Sequence, residues 1–238
     1  MPNRIADVFG KRRVLLPVIH PVDRERALVA VEVAVDAGAD GIFTINQGLD
    51  EAGVVDLINE IYRRHPSLWV GVNLLSRSPA DALAYALAGC GRIDGIWSDN
   101  AGVDERATEQ PVARRFIEAR AKLGWNGLYF GGVAFKYQRE VAREDLGLAA
   151  ATAESFVDVV CTSGPGTGYA ADPAKPRAMR EGSKAALALA SGVTTANIGE
   201  YLPYVDAYVV GTGIERELGV LDPVETRRLA TAIHAFTP

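Results

Sequence analysis

Three side chains of this sequence have the chemistry to move a proton or to hold a charge, and each follows directly on an apolar run. They are His20, Asp99 and Lys136. A histidine changes charge near neutral pH and so serves as an acid or a base. A carboxylate and an amine together supply a general base and an electrophilic or nucleophilic group. We take these three residues as the candidate catalytic set.

Each of these residues also has other interpretations. Lys136 is a point charge for an anionic group, an activated amine, or a solvated loop lysine. Asp99 is a general base, a cation ligand together with Asn100, or the cap of the next helix. His20 is an acid or base at a strand end, or a structural hydrogen-bonding group. The residue types alone leave these alternatives open.

Two glycine turns near the end of the sequence are suited to bind an anion. The first contains Gly192 and Val193, and the second contains Gly211, Thr212 and Gly213. Each closes a short apolar run, and the pattern predicts a helix after it. Glycine allows close approach of a ligand, and the free amides at a helix N-terminus favour negative charge. We predict phosphate binding between these turns through backbone amides; the alternative is a pair of simple tight turns.

Further polar residues follow other apolar runs. Thr162, Ser163 and Gly164 begin a glycine-rich segment that can expose consecutive amides and hydroxyls to an anion, or can form a lid without a specific ligand. Asn46 and Asn73 end two earlier runs and can orient the hydroxyl groups of a ligand. These five residues complete the candidate binding set.

Eight apolar runs alternate with helical patterns along the chain and must position these side chains. The runs cover residues 13–19, 41–45, 68–73, 93–98, 127–134, 156–161, 186–189 and 207–210. They are continuous rather than alternating, which is typical of parallel strands buried on both faces. The sequence therefore predicts an α/β fold, a single (β/α)8 TIM barrel with a parallel eight-stranded core, over residues 1–238. A doubly wound open sheet is the alternative, but it usually has fewer strands.

Local signals mark the ends of several predicted helices. A helix over 24–37 stops at Gly38, and one over 113–123 stops at Gly124. The last helix begins with Asp222 as the cap, Pro223 in the first turn and Glu225 placed for a capping box. Residues 1–12 are expected to form a short N-terminal helix that caps the bottom of the barrel.

The barrel prediction brings the candidate residues together. In barrel enzymes the active site lies at the carboxyl ends of the strands. The candidate residues follow the apolar runs, so that all of them are expected at the same end. A polar ligand site requires such a cluster of polar groups.

Composition and charge exclude several other classes of protein. The formal net charge is −5, which argues against a general nucleic-acid binder. No apolar run approaches the roughly 18–20 residues of a membrane span. The chain begins without the apolar segment of a signal peptide, and Cys90 and Cys161 are too few for a disulfide framework. A cytoplasmic location is the default expectation.

No cofactor is evident in the sequence. There is no dinucleotide-binding glycine motif after the first run and no cluster with the spacing of a zinc site. A Mg²⁺ ion held by Asp99 and Asn100 with Asp104 or Glu105 is a weakly supported alternative. Cys161 follows the sixth run but has no sequence-evident histidine partner, so its expected role is packing.

Several segments of the sequence are similar to one family. They read SGVTTANI at 191–198, DAYVVGT at 206–212, DPV at 222–224 and VGVNLL at 70–75, with a further likeness at 162–168. In these segments the chain resembles the BtpA family of predicted barrel enzymes. The family's usual Val-Lys-His after the fifth strand is Phe-Lys-Tyr here, so that Lys136 is kept and an imidazole is absent.

The resemblance implies a fold and a ligand class. The family is placed with ribulose-phosphate-binding barrels, which implies a phosphorylated small-molecule ligand at Gly192 and at the turn from Gly211 to Gly213. It implies an enzyme for a phosphorylated sugar or nucleotide-like metabolite, with isomerase, lyase and glycosyl-transfer chemistry all open. The founding member's link to photosystem I biogenesis implies the alternative of a non-catalytic assembly or regulatory factor. Barrels of this kind often pair through outer helices, so a homo-oligomer is also expected.

Overall fold

A computed structural model describes residues 4–237 of the chain. Eight parallel strands form a closed barrel in which neighbours along the chain are neighbours in space, and β8 pairs with β1 to close it. The strands are β1 Val14–Ile19, β2 Ile42–Ile45, β3 Val70–Asn73, β4 Gly95–Ser98, β5 Leu128–Gly132, β6 Val159–Ser163, β7 Ala186–Ala190 and β8 Ala207–Val210. The predicted (β/α)8 barrel is confirmed.

Helices surround the barrel. They are α1 Arg4–Phe9, α2 Arg24–Asp36, α3 Glu51–Arg64, α4 Pro79–Cys90, α5 Pro111–Lys122, α6 Leu146–Ala153, α7 Ala174–Gly182 and α8 Pro223–Ala235. A small antiparallel hairpin lies between β8 and α8 and consists of β9 Glu215–Glu217 and β10 Val220–Leu221. Short 3-10 turns occur at Arg143–Asp145, Ile198–Glu200 and Thr212–Ile214.

The strands are apolar throughout because each one is buried on both faces. In β1, Val14 and Leu16 point into the barrel interior, whereas Leu15 and Ile19 belong to the layer between the strands and the helices. The interior is filled largely by aromatic rings. Phe43 lies at its centre, with ring centroids 5.2 Å from Trp69 and 5.1 Å from Phe130. Tilted and edge-to-face ring contacts of this kind stabilise an apolar interior.

Helix α1 lies against the bottom of the barrel, the end at which the strands begin. Ile5 is fully buried with the interior side chains, and the ring of Phe9 lies 5.4 Å from that of Trp69. Residues 1–3 of the segment predicted as a cap lie outside the described residues, as does Pro238.

Side-chain caps begin several of the outer helices. At the start of α8 the predicted N-cap is present, but the predicted capping box is not. The side chain of Asp222 accepts hydrogen bonds from the amides of Val224 and Glu225, as predicted for the start of α8. The reciprocal bond of a capping box is not formed. The carboxylate of Glu225 accepts from Thr195 and Arg228 instead, and the Asp222 amide donates to the carbonyl of Ile214.

The predicted helices directly after the two glycine turns are wrong. The connection after β7 contains the 3-10 turn Ile198–Glu200 and no α-helix, and the turn after β8 leads through Thr212–Ile214 into the hairpin. The β7 connection is short and contains Gly199 and Pro203, which do not favour a continuous helix. The side chain of Asn197 also fixes a turn there, because it accepts from the Thr194 amide and donates to the Gly192 carbonyl.

Four aspartates fasten the bottom of the barrel, each just before an even-numbered strand. These basal aspartates are Asp40, Asp94, Asp158 and Asp206. Each accepts a hydrogen bond from an amide in the preceding odd-numbered strand, at 2.8–3.0 Å. Each also binds a lysine or arginine from a neighbouring segment. The bottom is therefore held by the same device four times, once for each pair of strands.

The sixth strand differs most from its prediction, which was 156–161 rather than Val159–Ser163. Phe156 and Val157 still donate backbone hydrogen bonds to Ala153, in the turn that ends α6. Asp158 then marks the start of the strand. The apolar run therefore includes the end of a helix, which hydrophobicity alone does not separate from a strand.

Candidate functional site

A cavity of about 230 Å³ opens at the mouth of the barrel, the end at which the strands reach their carboxyl ends. Val18, Ile45, Trp97 and Val209 supply apolar walls. The polar groups around it come from seven different connections, one from each, and are His20, Gln47, Asp99, Lys136, Thr167, Ser191 and Thr212. The three predicted catalytic residues therefore line one cavity, which we call the mouth cavity.

Lys136 and Asp99 face this cavity together. The Lys136 ammonium donates to the hydroxyls of Thr167 and Ser191 at 3.1 and 3.2 Å. Asn73 is buried and donates to one carboxylate oxygen of Asp99 at 3.0 Å, so it fixes that carboxyl group. Burial raises the pKa of Asp99, whereas the charge of Lys136 and the Asn73 hydrogen bond lower it. The pair can supply two groups: the Asp99 carboxyl group, which holds a proton more readily than usual, and the Lys136 cation.

His20 has a partner that sequence reasoning missed. Its Nδ1 lies 2.8 Å from a carboxylate oxygen of Glu215, at the start of the hairpin. The same oxygen accepts from the Gly219 amide at 3.0 Å. The two residues are 195 positions apart in the chain, and only the closure of β8 onto β1 brings them together.

The predicted phosphate turns converge next to the mouth cavity. Gly211 and Thr212 line the cavity itself. A Cβ on Gly192 would overlap the backbone of Tyr169, and one on Gly213 would overlap the carbonyl oxygen of Val193. The connections after β6, β7 and β8 thus pack backbone to backbone, which is one reason for glycine at these two positions.

Two amides of the β7 turn have no described acceptor, although their residues are not part of the cavity wall. Gly192 and Val193 are both buried, and neither amide donates one of the hydrogen bonds described for the loops of residues 4–237. The turn binds through its other atoms, since the Gly192 carbonyl accepts from Asn197. Thr212 is exposed at the cavity edge. These groups could hold an anion at the side of the cavity formed by β7 and β8.

Three predicted binding residues after β6 lie away from this cavity. Thr162 and Ser163 are fully buried, and their hydroxyls donate to the carbonyls of Ala134 and Gly164. The Ser163 hydroxyl also accepts from the Lys136 amide at 2.8 Å. Gly164 packs against the backbone of Tyr169. These residues therefore position the segment that carries Lys136, and they do not line the mouth cavity.

Asn46 also binds within the protein. Its side-chain oxygen accepts from the backbone amide of Leu75 at 2.7 Å. The backbone amide of Asn46 donates to the backbone carbonyl of Asn73 at 3.3 Å. These bonds tie the connection after β2 to the one after β3. Asn46 is absent from the cavity wall, although it lies at the predicted strand end.

Lys175 is a buried cation near the site that the sequence reasoning missed. Its ammonium donates to the carbonyls of Ala134 and Ser163, at the ends of β5 and β6. Burial lowers its pKa to about 8. It borders a second cavity, of about 510 Å³, between the connections after β5 and β6. A lysine in the first turn of a helix carries no sequence signal for such a role.

Backbone strain is concentrated around Lys136. Among residues 4–237, the non-glycine residues with positive φ are Ala134 at 48°, Tyr137 at 60° and Ser191 at 68°. Two of them flank the Phe135–Lys136 pair, and the third supplies a hydroxyl to the Lys136 ammonium. Such conformations cost free energy and cluster at functional sites.

Two other sequence alternatives receive a structural account. Asp104 and Glu105, the further ligands considered for Mg²⁺, both pair with Arg139, and Asp104 also pairs with Arg106. Within the described chain, no group of three histidine, cysteine, aspartate or glutamate side chains is arranged to hold a metal ion. Cys161 is completely buried in the barrel interior, and burial raises the pKa of its thiol.

The fold and the mouth cavity define the class of protein. It is a parallel eight-stranded barrel with its polar and titratable groups at the carboxyl ends of the strands, the arrangement typical of barrel enzymes. Residues 24–237 match the BtpA family, so this chain belongs to that family. The resemblance predicted from the sequence is confirmed. Comparison with curated protein sequences returns no match.

Solved structures with the same fold include several enzymes. Phosphoribosyl anthranilate isomerase from Thermus thermophilus is 16% identical, with a TM-score of 0.65, over 94% of this chain and 98% of that one. Mycobacterium tuberculosis tryptophan synthase is 16% identical, with a TM-score of 0.68, over 99% and 100% of the two chains. (S)-3-O-geranylgeranylglyceryl phosphate synthase from Thermoplasma acidophilum, in complex with its substrate sn-glycerol-1-phosphate, is 17% identical, with a TM-score of 0.66, over 98% and 99%.

These similarities establish a shared fold over nearly the whole chain. No helix within residues 4–237 is both long enough and apolar enough to cross a membrane.

Proposed function

We propose that this protein is an enzyme that acts on a phosphorylated sugar or nucleotide-like metabolite bound in the mouth cavity. One observation carries the proposal: a single cavity joins the β8 turn at Gly211 and Thr212 to the side chains of Asp99 and Lys136. A phosphate held at the turn would thus place the rest of a small ligand beside acid–base groups. The same fold in the glyceryl phosphate synthase holds sn-glycerol-1-phosphate, which supports this ligand class.

The cavity size favours a small ligand. A volume of about 230 Å³ suits one phosphorylated sugar or a shorter phosphorylated chain. It lies below the roughly 300–1,000 Å³ of cavities that bury drug-sized molecules. A dinucleotide would extend beyond it.

The phosphate would bind through backbone amides of the β7 and β8 turns. The Gly192 and Val193 amides are candidate donors, and the Thr212 hydroxyl adds a donor at the cavity edge. Consecutive amides in a turn form a concave site for an anion without a full helix behind them. The Lys136 ammonium adds positive charge on the same side, since it already contacts Ser191 in the β7 turn.

Asp99 and Lys136 would perform the chemistry on the remainder of the ligand. Burial makes the Asp99 carboxyl a better proton carrier near neutral pH, because it raises the pKa. Lys136 would stabilise negative charge that develops on a ligand oxygen. Asn73 holds the Asp99 carboxyl in place. Isomerisation, bond cleavage by a lyase and glycosyl transfer can all use such a pair.

Calorimetric titration with matched compounds tests the proposal. The probes are inorganic phosphate, glycerol 1-phosphate and ribose 5-phosphate, with glycerol and ribose as unphosphorylated controls. We expect binding of the phosphorylated compounds only. A compound at 100 times its Kd should also stabilise the folded chain by about 2.7 kcal/mol, seen as a higher Tm.

A charge placed at the β8 turn locates the phosphate. Thr212→Asp should weaken binding of every phosphorylated probe by about tenfold or more, because the new carboxylate repels the dianion. Thr231→Asp, on the exposed surface of α8, is the matched control with the same charge change and should bind normally. If the two variants bound the phosphorylated probes with equal affinity, the phosphate would not bind at this turn. Failure of all phosphorylated probes to bind the wild type would leave the non-catalytic assembly factor as the better proposal.

A further inference from the structure

The hairpin after β8 brings a buried carboxylate to the mouth of the barrel. The Glu215 side chain is only 3% exposed, and one of its oxygens lies 2.8 Å from Nδ1 of His20. Its second oxygen, Oε2, has no hydrogen-bond partner among the residues that the structure describes. Burial of a carboxylate with one free oxygen costs free energy, and such groups in a native structure call for a functional explanation.

The other two histidines of the chain provide an internal comparison. His65 and His234 bind their carboxylate partners Glu32 and Asp40 through Nε2, at 3.0 and 2.8 Å. His20 binds Glu215 through Nδ1, and no hydrogen bond of its Nε2 is described within residues 4–237. A carboxylate accepts hydrogen bonds, so this contact favours the imidazole tautomer with the proton on Nδ1, in which the Nε2 lone pair is free.

The ring of His20 is packed against the proposed phosphate turn. A Cβ on Gly211 would lie 2.7 Å from Cε1 of His20, so only glycine leaves room for the ring. His20 also lines the mouth cavity. Cε1 is bonded to both ring nitrogens, and Nδ1 lies 3.5 Å from the same Cβ position, so the imidazole ring as a whole lies beside the turn at which the ligand would be anchored.

We propose that His20 and Glu215 form a proton-transfer pair, in which His20 is the catalytic base and acid and Glu215 is its positioning residue. The inference rests on the proposed function, because the phosphate anchor sets where the ligand's reacting atoms lie. Nε2 takes a proton from the ligand and becomes an imidazolium, while the electron pair of the broken bond stays on the ligand. The same nitrogen returns the proton at a second atom, so no oxidant or further reactant is needed.

The geometry indicates which protons are accessible to this pair. A phosphate at the β8 turn places the neighbouring carbons of a short sugar chain beside Nε2. The C–H bond next to a carbonyl group is the acidic one in a phosphorylated keto or aldehydo sugar. Lys136, which lines the same cavity, would stabilise the enediolate oxygen that forms. The substrate class is therefore a sugar phosphate with a free carbonyl group.

Glu215 acts through the imidazole in two ways. Its carboxylate selects the tautomer with the proton on Nδ1, and it stabilises the imidazolium when Nε2 has taken up the ligand proton. The Gly219 amide holds the carboxylate from within the hairpin. The hairpin between β8 and α8 thus becomes part of the catalytic apparatus.

The tautomer of His20 can be measured without any ligand, by ¹⁵N NMR of the imidazole nitrogens in the full-length protein. His65→Gln and His234→Gln assign the signals. We expect the wild type to hold the proton on Nδ1 of His20, and Glu215→Leu, which has no hydrogen-bond acceptor, to lose this preference. The proposed pair would be contradicted if the neutral His20 of the wild type carried its proton on Nε2, or if the variant kept the tautomer of the wild type.

Proton transfer itself is measured by exchange of ligand C–H for deuterium in D2O, with ribose 5-phosphate and ribulose 5-phosphate as probes. We expect His20→Gln to slow the exchange by about 100-fold or more. Glu215→Gln should fall between that variant and the wild type, and His65→Gln should match the wild type. Thermal unfolding checks that each variant is folded, and Glu215→Asp provides a conservative substitute that should restore part of the rate.

The two failures can be told apart. If the probes bind but none exchanges, or if His20→Gln exchanges as fast as the wild type, the proton-transfer pair is wrong and phosphate binding stands. If no phosphorylated probe binds, inorganic phosphate and glycerol 1-phosphate included, the proposed function fails. The tautomer measurement then still decides whether Glu215 positions His20.

Discussion

The two ends of this barrel use their charged residues in opposite ways. At the bottom, Asp158 accepts from Arg4, from Arg120 and from the Tyr129 amide, so that both oxygens have partners. At the mouth, Asp99 has a single described hydrogen bond, from Asn73. The bottom thus uses its charges to hold strands together, whereas the Asp99 carboxylate at the mouth has hydrogen-bonding capacity that no described residue uses.

Uncharged donors and buried cations follow the same division. The indole N–H of Trp97 is buried at the mouth cavity without a hydrogen-bond partner among the described residues. Lys175 contacts backbone carbonyls, and no carboxylate lies within ion-pair distance of it in the described chain. Lys11, at the bottom, pairs with Asp40 at 2.6 Å. The mouth thus lacks the stabilisation that partners for these polar groups would provide, which is common at functional sites.

The largest expected effect lies at the bottom. Asp158→Ala leaves two half-buried arginines and a strand amide without their partner. We expect the free energy of unfolding in urea to fall by about 3–5 kcal/mol, the usual loss when one member of a buried ion pair is removed. A loss below about 1 kcal/mol would mean that the basal aspartates do not hold the barrel, and the contrast between the two ends would fail.

A smaller, pH-dependent effect is expected for Lys175. Burial lowers its pKa to about 8 from a usual value of 10.5. Between these two values the unfolded chain binds more protons than the folded one, so stability rises with pH across this window. The stability of the wild type relative to Lys175→Met should therefore increase on the order of 1–3 kcal/mol from pH 8 to 10.5.

Urea unfolding of both proteins at several pH values measures that difference, and effects of other groups cancel between them. A difference that stays constant from pH 8 to 10.5 would show that the Lys175 ammonium is solvated in the folded chain. Its role as a buried cation across the ends of β5 and β6 would then be lost.

The smallest effect is expected for Asp99→Asn, and its sign is the sharpest test of the comparison. The raised pKa means that the ionised carboxylate is disfavoured in the folded state, so it reduces stability at high pH. The variant should have a slightly higher Tm than the wild type at pH 8, and the gain should shrink as the pH falls toward 4. Circular dichroism melts at both pH values measure it. A lower Tm at pH 8 would make Asp99 a stabilising residue like those at the bottom.

Most of the fold could be predicted from local patterns. Eight continuous apolar runs correspond to eight strands because burial on both faces is a property of each strand by itself. The connection after β7 could not be predicted, because Gly199 and Pro203 weaken a helix without forbidding it. The basal aspartates left a readable signal, an aspartate just before or near the start of every second apolar run, which the strand pattern alone does not use.

The candidate site was predictable only in part. His20, Asp99 and Lys136 each follow the carboxyl end of a strand, so the barrel rule alone brings them to one cavity. Glu215 could not be predicted, because it follows a turn in a hairpin and its role depends on contact with a residue 195 positions earlier. Thr162 and Ser163 were selected by type and position, but burial of their hydroxyls depends on how the β5 and β6 connections pack.

The fourfold fastening at the bottom makes the strand pair, rather than the single strand, the unit from which this barrel is built. Asp40 and Asp94 each join an odd strand to the even strand that follows, all within the first four strands, and Asp158 and Asp206 do the same within the last four. If the chain were divided between β4 and β5, each of these four hydrogen bonds between a backbone amide and an aspartate would stay within one fragment. Such halves are natural modules for reassembly, for exchange between relatives, or for an origin by duplication.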